Sequence, residues 1–306
     1  MAPISYNTRR KAGNVVFNII NCSLFILFTL ICIYPFYYLV INTISANDLS
    51  DNGMINFWPR KVHFQNYIEV LKIKGLANAL MISVLRTVTG TVLTVGASAF
   101  LGFMFTQKKM WKRSLWYRFL VITMYFNAGL IPVFIIMYIL GLTNNFLVYI
   151  VPAIVQPFYI ILVKTYFESV PESLQQAAEI DGAGILRIFV RIMLPISLPI
   201  IATIAIFSAV GQWNSFQDTL IYVTNQKLYS LQYVLYMYIN QSNALAQLIR
   251  NSTTLSGDTI AALATKQTPT SVRMSVTVLI VAPIMLIYPI FQRYFIKGIM
   301  IGSVKG

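Results

Sequence analysis

Six stretches of this chain keep their charged positions at the edges and their apolar positions in long runs, near 15 to 43, 76 to 105, 117 to 140, 146 to 166, 196 to 216 and 275 to 296. About 20 residues carry a helix across the hydrocarbon core, and a backbone group without a partner in lipid costs several kcal/mol. Each stretch is therefore expected to be one membrane-spanning helix, which makes the chain an all-α, polytopic membrane protein with six transmembrane helices. Pro35, Pro132, Pro152, Pro157, Pro199, Pro283 and Pro289 fall within or at the ends of these spans, where packing between helices absorbs a kink.

The pattern changes at residues 171 to 199, between the fourth and fifth stretches. Pro171 suits a helix start, and Glu172 and Ser173 place a negative charge and a capping hydroxyl at its positive end. Ala177, Ala178 and Ile180 then predict a short helix with a small-residue face. Gly182 supplies a turn, and Ile185, Ile188, Phe189 and Ile192 form a second apolar stripe at helical spacing. Leu194-Pro195 returns the chain to the membrane. A helix tied at both ends to spanning helices is suited to transmit a push from a soluble partner.

Composition agrees with the spans: 57% hydrophobic and 10% charged residues, with a mean hydropathy of +0.69, exclude a water-soluble domain. A net charge of +14 would suggest nucleic acid in a soluble chain. Here the basic residues sit beside the apolar stretches, and retention of positive loops in the cytoplasm explains them without nucleic acid. With the N-terminus inside, Arg9, Arg10, Lys11, Lys108, Lys109, Lys112, Arg113, Arg118, Lys164, Arg187, Arg191, Arg293, Lys297 and Lys305 are cytoplasmic, 14 in all. The other side receives eight, Arg60, Lys61, Lys72, Lys74, Lys227, Arg250, Lys266 and Arg273. The KKMWKR cluster decides the orientation, so both termini and the 167–195 loop are expected inside. This divides the chain into a cytoplasmic tail, 1–14, and one transmembrane domain, 15–306, carrying the 167–195 loop and an extracytoplasmic segment, 217–273. That outer segment opens on an apolar, aromatic run that can pack on or re-enter the membrane, and continues into a polar run. Residues 45 to 75 mix aromatics with charges and are expected along the outer interface.

Candidate chemistry is sparse. Cys22 and Cys32 lie in the first span with no His or acid near them, and His63 is the only histidine, so neither a metal site nor a His-based catalytic pair is available. There is no GxxxxGK[ST] phosphate loop. All nine acids lie in or next to loops, whereas proton or sodium coupling calls for one within the membrane. Polar groups near mid-span face either a pathway or another helix, which singles out Tyr125 and Asn127 in span three and Gln156 and Tyr159 in span four. Gln212, Trp213 and Asn214 end span five, where Trp213 either joins an interfacial aromatic belt or stacks on a cargo. Arg86, in span two, can face a cavity, but outward snorkelling is favoured.

The order Gln176-Ala177-Ala178, three residues, Gly182, nine residues, Ile192-Met193-Leu194-Pro195 resembles the Glu-Ala-Ala signature loop of permease subunits in binding-protein-dependent ABC importers. Ile180-Asp181-Gly182-Ala183 and Trp213-Asn214-Ser215-Phe216 resemble the carbohydrate-uptake branch. The GLIPVF run at 129 to 134 and the C-terminal YPIFQRYFIKGIMIGSVKG are similar to oligosaccharide and polysaccharide permeases of the lipo-oligosaccharide and alginate type. The resemblance covers residue 76 to the end. It implies a type I importer permease fold in a bacterial cell membrane, a non-catalytic subunit without a cofactor of its own, and an oligosaccharide or polysaccharide fragment as cargo. It also implies partners: a second, different permease, two ATPase subunits holding ATP and magnesium, and an extracytoplasmic solute-binding protein. Glu172, Gln176, Ala177, Ala178, Glu179, Asp181, Gly182, Leu194 and Pro195 would form the ATPase contact. The family's first acid is Gln176 here, which passes the charged part of that contact to Glu172, Glu179 or Asp181. Asp181 has an alternative use, as the cap of the next helix. Rival readings are an importer for amino acids or peptides, an ion-coupled secondary transporter and a membrane enzyme.

Overall fold

The structure, a computed structural model, describes residues 6–251 and 268–299. In chain order its main helices are α1 (Tyr6–Thr43), α2 (Asn47–Asp51), α3 (Gln65–Leu71), α4 (Leu76–Thr106), α5 (Arg113–Tyr125), α6 (Leu130–Ile139) and α7 (Pro157–Ser169). They are followed by α8 (Glu172–Ile180), α9 (Ile185–Ile188), α10 (Leu194–Ile196), α11 (Leu198–Asn214), α12 (Gln217–Tyr222), α13 (Leu231–Asn251) and α14 (Pro269–Ile299). No strand occurs among the described residues. The polar run at 252–267 with Lys266, residues 1–5 of the N-terminal tail, and residues 300–306 with Lys305 lie outside the described residues.

Three helical windows are long and apolar enough to cross a membrane without a break, Val15–Thr43, Leu76–Thr106 and Pro269–Pro289. The other three expected spans are bent, and counting each bent pair as one gives six. Span three is not one helix: α5 and α6 meet at 118°, because Asn127 Oδ1 accepts the Gly129 N–H at 2.9 Å and Gly129 takes φ +83°. Span four enters through short 3₁₀ turns at Phe146–Ala153, which meet α7 at 44° where Pro157 opens the helix. Span five breaks at buried Ser197, between Pro195 and Pro199, so that the Ile185–Ile196 run meets α11 at 81°. Proline has no N–H and its ring crowds the carbonyl one turn earlier, which is why the breaks gather there.

The described residues divide into two units, one comprising those up to Lys72 with Gln241–Leu279, the other Ile73–Asn240 with those from Ile280. In the first, the segment expected along the interface is knitted by buried amides and hydroxyls. Asn66 Nδ2 donates to Thr43 O at 2.9 Å and to Asn47 Oδ1 at 2.8 Å, Ser50 Oγ donates to Asn42 Oδ1 at 2.8 Å, and Thr268 Oγ1 donates to Asp51 Oδ1 at 3.0 Å. Residues 15–37 of α1 are all exposed within the chain, and burial begins only at its end, with Ile41, Asn42 and Thr43.

The second unit is built around α4, which packs on α7 and α11. Ala79, Ser83, Arg86, Gly90, Thr94, Ser98 and Gly102 form its buried stripe at spacings of three and four. Small residues let helices approach closely in lipid. A Cβ on Gly102 would lie 3.0 Å from Val163 Cγ1 and 3.2 Å from Ile160 O on α7. Near the end of α4, Phe103 stacks on Phe189 at 5.1 Å and meets Phe167 edge-on at 5.9 Å, in a core with Ala178, Ile188 and Met193.

Candidate functional site

Two features of the second unit hold most of its polar chemistry, one beside the first half of α4 and one at its end. Arg86 and Gln107 are 21 positions apart in the sequence. At 1.5 Å per residue that is about 30 Å, the thickness of a hydrocarbon core.

The first feature is a cavity of about 370 Å³ lined by α4, α7, α11, α12 and the turns before α7. Arg86 reaches it from α4 and is 1% exposed. A buried cation without partners would cost several kcal/mol, and this one is well supplied. Nε and Nη2 donate to Gln212 Oε1 at 3.1 and 3.0 Å, Nη2 donates to Asp218 Oδ2 at 2.6 Å, and Nη1 donates to Ser215 O at 3.3 Å. The guanidinium also lies 4.3 Å from the Tyr149 ring centre. The snorkelling expected of Arg86 is thus overturned: its partners sit inside the fold, so the side chain turns inward. Around it, Gln212 Nε2 donates to Tyr149 O at 3.1 Å and Ser215 Oγ donates to Asp218 Oδ2 at 2.8 Å. Tyr149 OH donates to Leu228 O at 2.8 Å and pairs with Thr219 Oγ1 at 3.0 Å. Gly90 makes room for this arrangement, since a Cβ there would lie 2.8 Å from Gln212 Nε2.

Of the residues expected near a pathway, Gln156, Tyr159 and Gln212 come together in this cavity. Tyr159 stacks on Phe207 at 6.5 Å. The others do not join them. Trp213 is buried on the opposite side of α11, its Nε1 donating to Ile280 O at 3.1 Å, and lines an apolar cleft with Pro283 and Tyr288. Asn214 is exposed, Tyr125 is 80% exposed, and Asn127 forms the turn between α5 and α6. Sequence reasoning missed Asp218, which lies outside every apolar stretch. The spacing of the α4 stripe was its one legible signal for Arg86, Gly90 and Thr94.

The second feature is the 171–199 loop. Helix α8 starts after Pro171 with Glu172 in its first turn and no side-chain cap, so Ser173 does not cap it. It ends where Gly182, at φ +75°, donates its N–H to Glu179 O at 3.0 Å while Ala183 N–H donates to Ala178 O at 2.9 Å. That double bond is the Schellman ending that glycine permits. Asp181 does not cap the next helix: it is the C-terminal cap residue of α8 through its backbone N–H, and Gly184 stands at the start of α9, without a side-chain cap. The two alanines part company, because neighbours on a helix point about 100° apart. Ala178 is buried in the aromatic core, whereas Ala177 faces out with Gln176, Asp181 and Ile180, the last 87% exposed. From α9 the chain passes through a π turn, Phe189–Met193, into α10. This register buries Ile188, Phe189 and Met193 in place of the straight stripe expected, leaving Ile185 42% exposed. It stands where Pro195 would otherwise crowd the carbonyl of Arg191. Leu194 packs against the core and Pro195 is exposed.

The KKMWKR segment meets this loop. Lys108 Nζ donates to Glu172 Oε1 at 2.8 Å, Lys109 Nζ lies 3.7 Å from Glu179 Oε2, and Gln175 Nε2 donates to Gln107 Oε1 at 2.9 Å. Both lysines and both glutamates are substantially exposed, so each ion pair contributes about 0–1 kcal/mol. The Asp181 carboxylate has no partner among the described residues.

The family of binding-protein-dependent transport system inner membrane components matches residues 95–301, a range holding the loop and most of the cavity lining. The chain belongs to this family. Protein LplC of Bacillus subtilis (strain 168) is 31% identical over 308 residues, covering 100% of both chains. The polygalacturonan/rhamnogalacturonan transport system permease protein YtcP of the same organism is 29% identical over 295 residues, 96% of this chain and 99% of the relative. A chain in the crystal structure of a bacterial ABC transporter involved in the import of the acidic polysaccharide alginate superposes with a TM-score of 0.76 at 26% identity. That match covers 96% of this chain and 100% of the other. The protein is thus a multi-pass membrane permease with the all-α type I importer fold.

Proposed function

We propose that this permease is the transmembrane subunit of an ATP-driven importer that carries an oligosaccharide or polysaccharide fragment into a bacterial cell. The observation that carries the cargo is full-length likeness to permeases named for glycans, YtcP and the alginate importer chain. The cavity is compatible with it, offering hydrogen-bonding groups between aromatic rings, as sugars require. Both termini and the 167–195 loop are cytoplasmic, and 217–273 is extracytoplasmic, within one transmembrane domain over 15–306 that follows the 1–14 tail.

In this reading the outward face of α8 docks one of two ATPase subunits, which bind ATP and magnesium. A second, different permease completes the pathway, and a solute-binding protein delivers the cargo from outside. Gln176, Ala177 and Ile180 supply the docking surface, Gly182 sets its end, and Leu194 and Pro195 join it to span five. Ala178 acts from within, as the seat of the helix. Glu172 and Glu179 are engaged by Lys108 and Lys109, so Asp181 is the acid left for the partner. Gln156 and Tyr159 touch the cargo, and Gln212 holds Arg86. The test is mass spectrometry of the ligand that co-purifies with the matching binding protein. A saccharide is expected; an amino acid or peptide would overturn the cargo.

A further inference from the structure

The charges in the cavity are balanced, and their hydrogen-bonding capacity is unevenly spent. Among the described residues lining it, Arg86 and Asp218 are the only charged ones, 2.6 Å apart. An arginine offers five N–H donors; four are taken, two by Gln212, one by Asp218 and one by Ser215 O. Gln212 is largely engaged as well, its oxygen accepting twice from Arg86 and one of its two amide N–H groups donating to Tyr149 O. Asp218 differs. Its Oδ2 accepts from Arg86 and Ser215, whereas its Oδ1 accepts nothing from the described residues, and its side chain is 36% exposed where Arg86 is 2%. Gln156, Tyr159 and Ser208 line the same space with side-chain polar groups unengaged among the described residues. Two stacked ring pairs, Tyr159 with Phe207 and Tyr222 with Phe134, put flat apolar faces beside them.

We infer that Asp218 is a specificity-determining residue of this cavity, accepting hydroxyl groups of an uncharged glycosyl ring, and that the cavity discriminates against carboxylate-bearing sugars. A carboxylate entering here meets no unopposed cation and an adjacent Asp, so its desolvation goes uncompensated. A hydroxyl pair meets a held carboxylate oxygen, and hydrogen bonds to ionised acceptors are the strong ones. This rests on the carbohydrate reading and narrows it, since YtcP and the alginate importer are named for polysaccharides, the latter acidic. Arg86 is then a positioning residue that fixes the Asp218 carboxylate.

The test is equilibrium dialysis of the assembled importer, both permeases with their ATPases in detergent and without binding protein, against labelled galactotriose and labelled trigalacturonate. These probes share a ring framework and differ in their carboxylates. The wild type is expected to bind galactotriose at least tenfold more tightly. Asp218→Asn leaves the charge of Arg86 unopposed, and the preference is expected to invert. Wild-type preference for trigalacturonate, binding of neither probe, or an unchanged preference in Asp218→Asn would each overturn the assignment. If Asp218→Asn fails to assemble, the double variant Arg86→Met/Asp218→Leu avoids a lone buried charge; it is expected to assemble and to lose at least tenfold in galactotriose binding, and retained binding overturns the assignment. A saccharide on the binding protein together with any of these negative results removes the Asp218 role alone. An amino acid or peptide there removes the carbohydrate reading itself.

Discussion

Gly90 and Gly182 serve opposite needs, one spatial and one conformational. Gly90 leaves room for a glutamine held by three hydrogen bonds, so Gly90→Ala puts a methyl 2.8 Å from Gln212 Nε2 and forces the amide off Arg86 or Tyr149. The expected cost is about 1–3 kcal/mol, as for other overpacked interiors, seen as a lower thermal midpoint of the detergent-solubilised importer; an unaltered midpoint would mean that Gln212 is free to move. Gly182 has open space around it and a φ of +75°. Gly182→Leu therefore costs only about 1–2 kcal/mol of backbone strain, enough to unwind the end of α8 without unfolding the permease. The variant is expected in the membrane at normal level but without cargo-stimulated ATP turnover, and normal turnover would sink the docking role. Gly182 was legible because a turn glycine after a short helix is a local signal. Arg86 was not: its partner Asp218 is 132 positions away, and nothing near either residue marks the pairing.

Helices α4 and α8 show how far periodicity carries. The stripe from Ala79 to Gly102 is readable at three- and four-residue steps, and it locates the face that α7 and α11 cover. For the loop, the pattern located α8 and its end but treated both alanines as one outer face and the 185–192 stripe as a regular helix. The first miss arises because Ala is equally at home inside and outside, so only the aromatic core under α8 decides which alanine is buried. The second arises from the π turn before Pro195, which shifts the buried register by one residue. The breaks in spans three and five were marked by proline and by Asn127-Ala128-Gly129, but hydropathy averages over them. The ion pairs beneath α8 give another expectation. Because Lys108 is 76% exposed and Glu172 60%, a double-mutant cycle of Lys108→Ala and Glu172→Ala should return a coupling of about 1 kcal/mol or less. A larger value would make the KKMWKR contact a real anchor of the loop.

Much of the apolar surface of the described residues finds no cover among them. Residues 15–37 of α1 are all exposed, and α5 and α6 expose Phe119, Ile122, Ile131 and Ile139. Lipid or another protein must cover such faces, and in the proposed function a second permease supplies part of that cover. The purified chain alone in proteoliposomes is accordingly expected to take up no sugar when a sodium or proton gradient is imposed; uptake would favour a secondary transporter. The sequence by itself determined the membrane class, the six apolar stretches, the loop and its glycine end, because each depends on local composition, length or short-range order. Only the tertiary structure decided that Arg86 turns inward, that Ala178 is a core residue while Ala177 is a surface one, that Trp213 packs against α14, and that Asp218 joins the cavity. Those outcomes depend on which distant groups meet. A buried cation takes whichever carboxylate the fold brings within hydrogen-bonding reach, and that choice is made by the packing of α4, α11 and α12.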